Sequence, residues 1–456
     1  MADRPLLSHF KTWLDSAVHS LLPKDRLGGA NPLHFEALDR ARQIHHPGQA
    51  SQIMRSNTMR SVFPLVALLI TMIACALPAA GSRRTGAHEV AVPLHFEQYR
   101  PYAELTLTGP SGKPVRALFW LDTGGGPIIL SGPLSARLGL KASGKTFKAE
   151  GNVISPTGVP QIQVAGMALK LTQAKAFLVI SKKPTLEGTG AEGAFPLRVL
   201  RKYQVVLDYP HARWTIADQG ALRPEGQRIA AHFSQFGFIA VSAKVGGKPY
   251  GFLLDSGAQY CMISEKELVA WQKQHPHWAH VTGAYGPANM MLGPAEASFR
   301  MLRIGVLELG PFTLKGIGSV SRPAGNYERM MSRLTGRPVI GSIGGNLLRH
   351  FRVDIDYPES RLYLKRESAG GGTPLDMVGI MLEPLGRGYA IVRVANDETA
   401  LRKGDVLLRI GDAPISGLTT AEIMRKIAGI PGATRKLTIE RNQITLSVNA
   451  KVVRIY

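Results

Sequence analysis

Two carboxylates stand out because of their neighbours. Asp122-Thr123-Gly124 follows the apolar run Phe119-Trp120-Leu121, and Asp255-Ser256-Gly257 follows Phe252-Leu253-Leu254. A strand that ends in an aspartate can hold it rigidly at the floor of a cleft. The adjacent hydroxyl both donates and accepts, so it can brace a partner loop. The glycine lets the backbone turn tightly and approach a carboxylate. Two such carboxyl groups brought to one water do not both ionise; they share a proton and titrate as a unit. The ionised member can take a proton from the water as it attacks a carbonyl carbon, while the protonated member donates to the developing oxyanion. This chemistry requires no metal or cofactor, and none is expected. Either tripeptide alone is an ordinary turn, so the weight falls on their being paired.

The elements that would position the pair form a long internal repeat, the signature of a duplicated structural unit. The motifs lie 133 residues apart (255 − 122), and both run on to an aliphatic-Ser pair, Leu130-Ser131 and Ile263-Ser264. Further on, the stretch from Leu200 to Pro210 matches that from Leu348 to Pro358 at an offset of 148 (348 − 200). The order of landmarks is the same in both halves, and the second half carries fifteen more residues between them (148 − 133). Apolar segments punctuated by glycine and proline predict strands at Ala103–Leu107, Ala117–Leu121 and Ala176–Ile180. In the second half they predict strands at Phe238–Val245, Tyr250–Leu254 and Met301–Leu307. Closing strands are expected at Val205–Asp208 and Val353–Asp356, before Tyr-Pro turns, with short helices at Ser131–Leu138 and Ser264–Gln272. Asp208, Asp354 and Asp356 sit near strand ends and read as structural.

On these motifs, residues 92–366 resemble the retropepsin-like and pepsin-like aspartic peptidases, above all the bacterial single-chain form with two tandem lobes. The resemblance implies a mainly β fold, a pseudo-symmetric pair of acid-protease-like β-barrels with lobes over 92–220 and 221–367. It implies endopeptidase activity on a peptide or protein substrate, with Asp122 and Asp255 catalytic. Thr123, Gly124, Ser256 and Gly257 match the positions that brace them. Val339-Ile340-Gly341 fits the family's late aliphatic-aliphatic-Gly element. The first half departs from it: Ala191-Glu192-Gly193 keeps only the glycine, and Gly125 replaces the small side chain that Ala258 retains. Flaps over the cleft are expected near Gly151 and Asn152 and near Ala284 and Tyr285, with Tyr285 placed to lie over substrate. One chain supplies both half-sites, so a monomer suffices. The competing reading is a catalytically inactive scaffold that binds peptides in the old cleft.

After the Gly370-Gly371-Gly372 linker, residues 374–456 resemble a PDZ domain, through an aliphatic-Gly-aliphatic segment, Gly404-Asp405-Val406-Leu407-Leu408 and a helix at Thr420–Ile427. The resemblance implies a small α+β domain in which the loop Met377, Val378, Gly379, Ile380 receives the C-terminal carboxylate of a peptide ligand. A purely structural PDZ-like cap is the alternative. Such a module could recruit or gate substrate.

The front end reads as export. Val62 to Ala80 is apolar and uncharged, preceded by Arg60 and followed by small residues, the pattern of a secretory signal over 59–81. A single membrane anchor is the other reading, because the run approaches the length that crosses a bilayer. Met72-Ile73-Ala74-Cys75 also resembles a lipoprotein box, which makes Cys75 the lipidation candidate. Residues 1–58 show no domain pattern; they read as a start assigned too early or as a cytoplasmic tail. A periplasmic or cell-envelope location is expected, with membrane contact only through this segment. Cys75 and Cys261 are the two cysteines; neither a disulfide between them nor a metal site is expected, and Cys261 reads as core. The net charge of +22 is scattered, with no run of five basic residues. It reads as a solvated basic surface and argues against nucleic-acid binding.

Overall fold

A computed structural model of the chain describes residues 88–149, 152–180, 190–282, 300–322, 325–367, 376–386, 388–394, 400–418 and 420–454. The export segment, Cys75, Gly151, Ala284 and Tyr285 lie outside the described residues. The protein is mainly β, organised in several sheets.

The two halves of the repeat build the same strand arrangement. In the first, strand Pro114–Asp122 carries the first aspartate at its end. Strand Gly193–Pro196 runs parallel to it, with Pro196 opposite Asp122, and antiparallel to Ile128–Leu130. In the second, strand Lys248–Leu254 leads into Asp255. Strand Gly341–Ile343 runs parallel to it and antiparallel to Cys261–Ser264. Each aspartate loop is thus a pair of strands with a third strand passing between its arms. The passage is so tight that only glycine fits. A Cβ on Gly193 would lie 2.4 Å from the Ile129 carbonyl oxygen, and one on Gly341 would lie 2.0 Å from that of Met262. Ile129 and Met262 are themselves repeat mates (262 − 129 = 133). Parallel strands Ala176–Val179 and Phe312–Arg322 flank the two loops in turn.

The short helices form where the sequence predicts them, at Gly132–Leu138 and Glu265–Gln274. Ser131 caps the first by accepting a hydrogen bond from the Leu134 amide at 3.2 Å, and left-handed Gly139 ends it. Glu265 and Glu267 place negative charge in the first turn of the second.

The closing strands join the halves in a six-stranded sheet, ordered 89–93, 213–218, 203–208, 351–356, 361–366, 227–229. At its centre Val206 pairs with Asp354. Their separation (354 − 206 = 148) equals the repeat offset, so a pseudo-twofold axis passes between a residue and its own repeat mate. Polar contacts obey the same symmetry. Gln204 donates to Asp356 at 3.1 Å, and its mate Arg352 reaches Asp208 at 3.6 Å. Asp208 and Asp356 also accept from the backbone of His211 and Glu359, each three residues on, at 3.2 Å. These aspartates close turns and join the halves, as their strand-end positions suggest.

One apolar cluster runs through both halves and includes Phe119, Trp214, Phe252 and Trp271, all essentially fully buried. The C-terminal unit has its own sheet, ordered 377–378, 444–453, 434–441, 406–410, 388–394, 380–385, with helix Thr420–Ile427 burying Ile423, Met424 and Ile427. Asp405 is buried in a two-pronged contact with Arg441, both N···O distances being 2.7 Å.

Candidate active site

The chain ends of the two aspartate strands meet on the pseudo-twofold axis, and two hydroxyls lock them together. The Thr123 hydroxyl donates to the Leu254 carbonyl at 2.8 Å and accepts from the Ser256 amide at 2.8 Å. The Ser256 hydroxyl donates to the Leu121 carbonyl at 3.0 Å and accepts from the Thr123 amide at 3.0 Å. All four bonds are buried and cross between the halves. Each side chain acts as donor and acceptor at once, a combination an aliphatic residue of the same size lacks.

This lock sets the carboxyl groups face to face. A Cβ built on Gly124 would lie 2.7 Å from the Asp255 carboxyl carbon, and one on Gly257 would lie 2.3 Å from that of Asp122. Each motif's glycine is therefore the wall against which the opposite aspartate rests. The two carboxyl groups lie close enough to influence each other's protonation. Each is also held by its own loop: the Gly124 amide donates to Asp122 at 2.8 Å, and the Ala258 amide donates to Asp255 at 3.0 Å.

The pair is not electrostatically symmetric. Asp255 is buried, whereas Asp122 is half-buried. Burial pushes the Asp255 carboxyl above the ordinary carboxylate value, against the opposing pull of the Ala258 amide, Ser342, Asp122 and the Arg100 guanidinium. The Ser342 hydroxyl lies beside Asp255 and favours its anion, although it makes no well-aligned hydrogen bond. The arrangement can hold one proton between two carboxyl groups where the halves meet.

Two buried arginines, not singled out by the motifs, brace the loops from outside. Arg100 donates to the Gly257 carbonyl at 2.8 Å and lies over the Trp120 ring at 5.0 Å. Arg198 donates to the carbonyls of Gly125 and Gly126 at 3.1 and 3.0 Å and lies over Phe238 at 5.4 Å. Burial, then Arg201, pulls the Arg198 guanidinium down to about 10, with Tyr357 and Asp122 acting the other way. The repeat held a signal for Arg198, because it occupies the position of Asn346 (346 − 198 = 148). Asn346 in turn binds the Cys261 amide and the Gly318 carbonyl at 3.0 and 2.8 Å.

Of the flap residues, Asn152 opens strand Asn152–Thr157, which pairs antiparallel with Phe147–Ala149. Met377, Val378, Gly379 and Ile380 span the junction of strands Met377–Val378 and Ile380–Leu385. Met377 and Val378 pair with Val453 and Val452, Ile380 pairs with Val394, and all four are buried. Cys261 is buried with its thiol pushed up to about 12 by burial, which makes it inert as a nucleophile. Among the described residues no group of three His, Cys, Asp or Glu could hold a metal, and no helix is long and apolar enough to cross a membrane. No protein-family model matches the chain, and no curated protein matches it.

Proposed function

We propose that the chain is an aspartic-type endopeptidase, with two acid-protease-like lobes whose carboxylates Asp122 and Asp255 share a proton and activate one water. The observation that carries this reading is the reciprocal hydroxyl lock, with each motif's glycine set against the other half's carboxyl group. In the reaction the ionised carboxylate takes a proton from water as its oxygen bonds to the scissile carbonyl carbon. The protonated carboxyl donates to the carbonyl oxygen, giving a neutral tetrahedral diol. Collapse breaks the C–N bond: the carboxyl that took the water proton gives it to the leaving nitrogen, and a diol hydroxyl returns its proton to the other carboxylate, restoring one proton on the pair. The raised proton affinity of Asp255 suits it to the donor role in the first step.

The C-terminal unit is read as a PDZ-like module on its sheet, its helix Thr420–Ile427 and the Gly404-Asp405 turn tied to Arg441. The apolar segment from Val62 to Ala80 supports an exported, cell-envelope protein. One observation favours a non-catalytic peptide-binding scaffold instead: the loop after Asp255 is buried throughout Ser256 to Cys261. A statine-type transition-state mimic separates the two. Its hydroxyl takes the place of the attacking water, so the peptidase reading predicts peptide cleavage that the mimic suppresses competitively. Peptide binding without cleavage, at any pH from acid to neutral, sinks the enzyme.

A further inference from the structure

By pseudo-symmetry, the loops after Asp122 and Asp255 flank the carboxyl pair on opposite sides, so a peptide lying across the pair meets one loop on each side. The first loop is accessible: Gly124, Gly125, Gly126 and Pro127 are all partly exposed. The second is not: Gly257, Ala258, Gln259 and Tyr260 are all buried. Part of the covering comes from the two halves themselves: the Gly345 and Asn346 amides donate to the Ala258 and Gln259 carbonyls at 2.7 and 3.0 Å, and Tyr99 lies edge-on to Tyr260. The rest is shared with the C-terminal unit. Ala258, Tyr260, Met301 and Val320 belong to the same buried apolar cluster as Met377, Ile380 and the rest of the C-terminal core, rather than to the core of the lobes. Met262 packs against this cluster, while its neighbours Cys261 and Ile263 point into the lobe. Alternation along that strand thus gives one face to the lobe and the other to the C-terminal unit. Beside the cluster, Arg303 and Asp376 form an ion pair at 2.9 Å that joins lobe and unit across a partly exposed rim.

We propose that the C-terminal unit is a cap seated on the second-lobe half of the substrate groove, so that the chain in this conformation holds that half shut. This rests on the peptidase reading of the carboxyl pair. The first half shows what the same face looks like without such a cap. There Ile129, the repeat mate of Met262, packs in a small cluster with Phe147, Ile154, Phe177 and Val179, all from the lobe's own strands. Burial of Met377 to Ile380 belongs to the same arrangement: the segment that resembles a carboxylate-receiving loop is tucked into the cap's own sheet and against the lobe. Turnover of a long peptide then requires the cap to lift, and whatever loosens its rim raises activity.

The test uses the full chain with Arg303→Glu, which opposes like charges at the rim, and with Arg303→Glu combined with Asp376→Arg, which restores attraction in reverse. Hydrogen exchange of residues 257–262 reads the cap, and kcat/KM on a long peptide reads the groove. A partly exposed ion pair of this kind is worth about a two- to fivefold change in an equilibrium. The expected result is faster exchange and a kcat/KM raised by about that factor in the single variant, with both returning toward the starting values in the swap. Unchanged exchange, or faster exchange with unchanged or lower kcat/KM, overturns the cap. If the starting protein and every variant cleave nothing, the peptidase reading fails, and the exchange data alone decide whether the unit covers the loop.

Discussion

The two half-sites use one backbone plan and finish it differently. In the first, the loop beyond Asp122 is glycine-rich, partly exposed and held from outside by the buried Arg198. In the second, the loop beyond Asp255 is buried and shares an apolar cluster with the C-terminal core, with Asn346 in the position of that arginine. The shared part, the hydroxyl lock and the glycine walls, is what geometry at the axis demands. The parts that differ set each carboxyl group's contact with water. Duplication therefore supplies the proximity of the two groups, and divergence supplies the difference in their burial; under the proposed peptidase reading that difference assigns the acid and the base.

The largest effect is expected at the glycine walls. Gly257→Ala puts a methyl 2.3 Å from the Asp122 carboxyl carbon, and Gly124→Ala puts one 2.7 Å from that of Asp255. Separations this short force the carboxyl groups apart. Both variants are expected to lose peptide cleavage by at least ~100-fold, since a displacement of about 1 Å costs that much. Unequal losses would show which half tolerates movement; full activity in either would mean that the glycine walls do not set the carboxyl groups.

A smaller effect, on stability, is expected at the lock. Thr123→Ala and Ser256→Ala each remove a buried hydroxyl and strand a buried amide and a buried carbonyl of the other half. Each is expected to cost about 1–3 kcal/mol in chemical denaturation. Because the hydroxyls serve the same junction, the double variant should cost less than the two singles added together. Additive losses would mean that the halves are braced independently.

Much of this arrangement is legible in the sequence. The offsets of 133 and 148 residues foretell two copies of one sheet, and the apolar runs before each aspartate foretell the strands that carry them. Helix 420–427 falls where its pattern predicts. Gly193 and Gly341 carry the strand crossing, and the first half keeps the glycine although its flanking residues differ, because steric room is the requirement. The sequence is silent where contacts join distant parts of the chain. Nothing near Arg100 announces that its guanidinium reaches Gly257, 157 residues on. Nothing in Met377 to Ile380 reveals that an aliphatic-Gly-aliphatic segment is folded into strand pairs beside a lobe. A local pattern records backbone preference; which surface covers it is settled by tertiary packing.

The pH dependence of kcat/KM, measured for the starting protein beside Asp122→Asn and Asp255→Asn, tests the shared-proton pair most directly. Activity requires one proton on the pair, and burial raises the affinity of Asp255 for it above the ordinary value of 3.8. A raised group keeps its proton to higher pH, so activity should persist above that value and fall as pH rises through the raised pKa. Both asparagine variants should be inactive across the whole profile. Appreciable cleavage by either variant, or a rate that keeps climbing toward alkaline pH, would contradict the account.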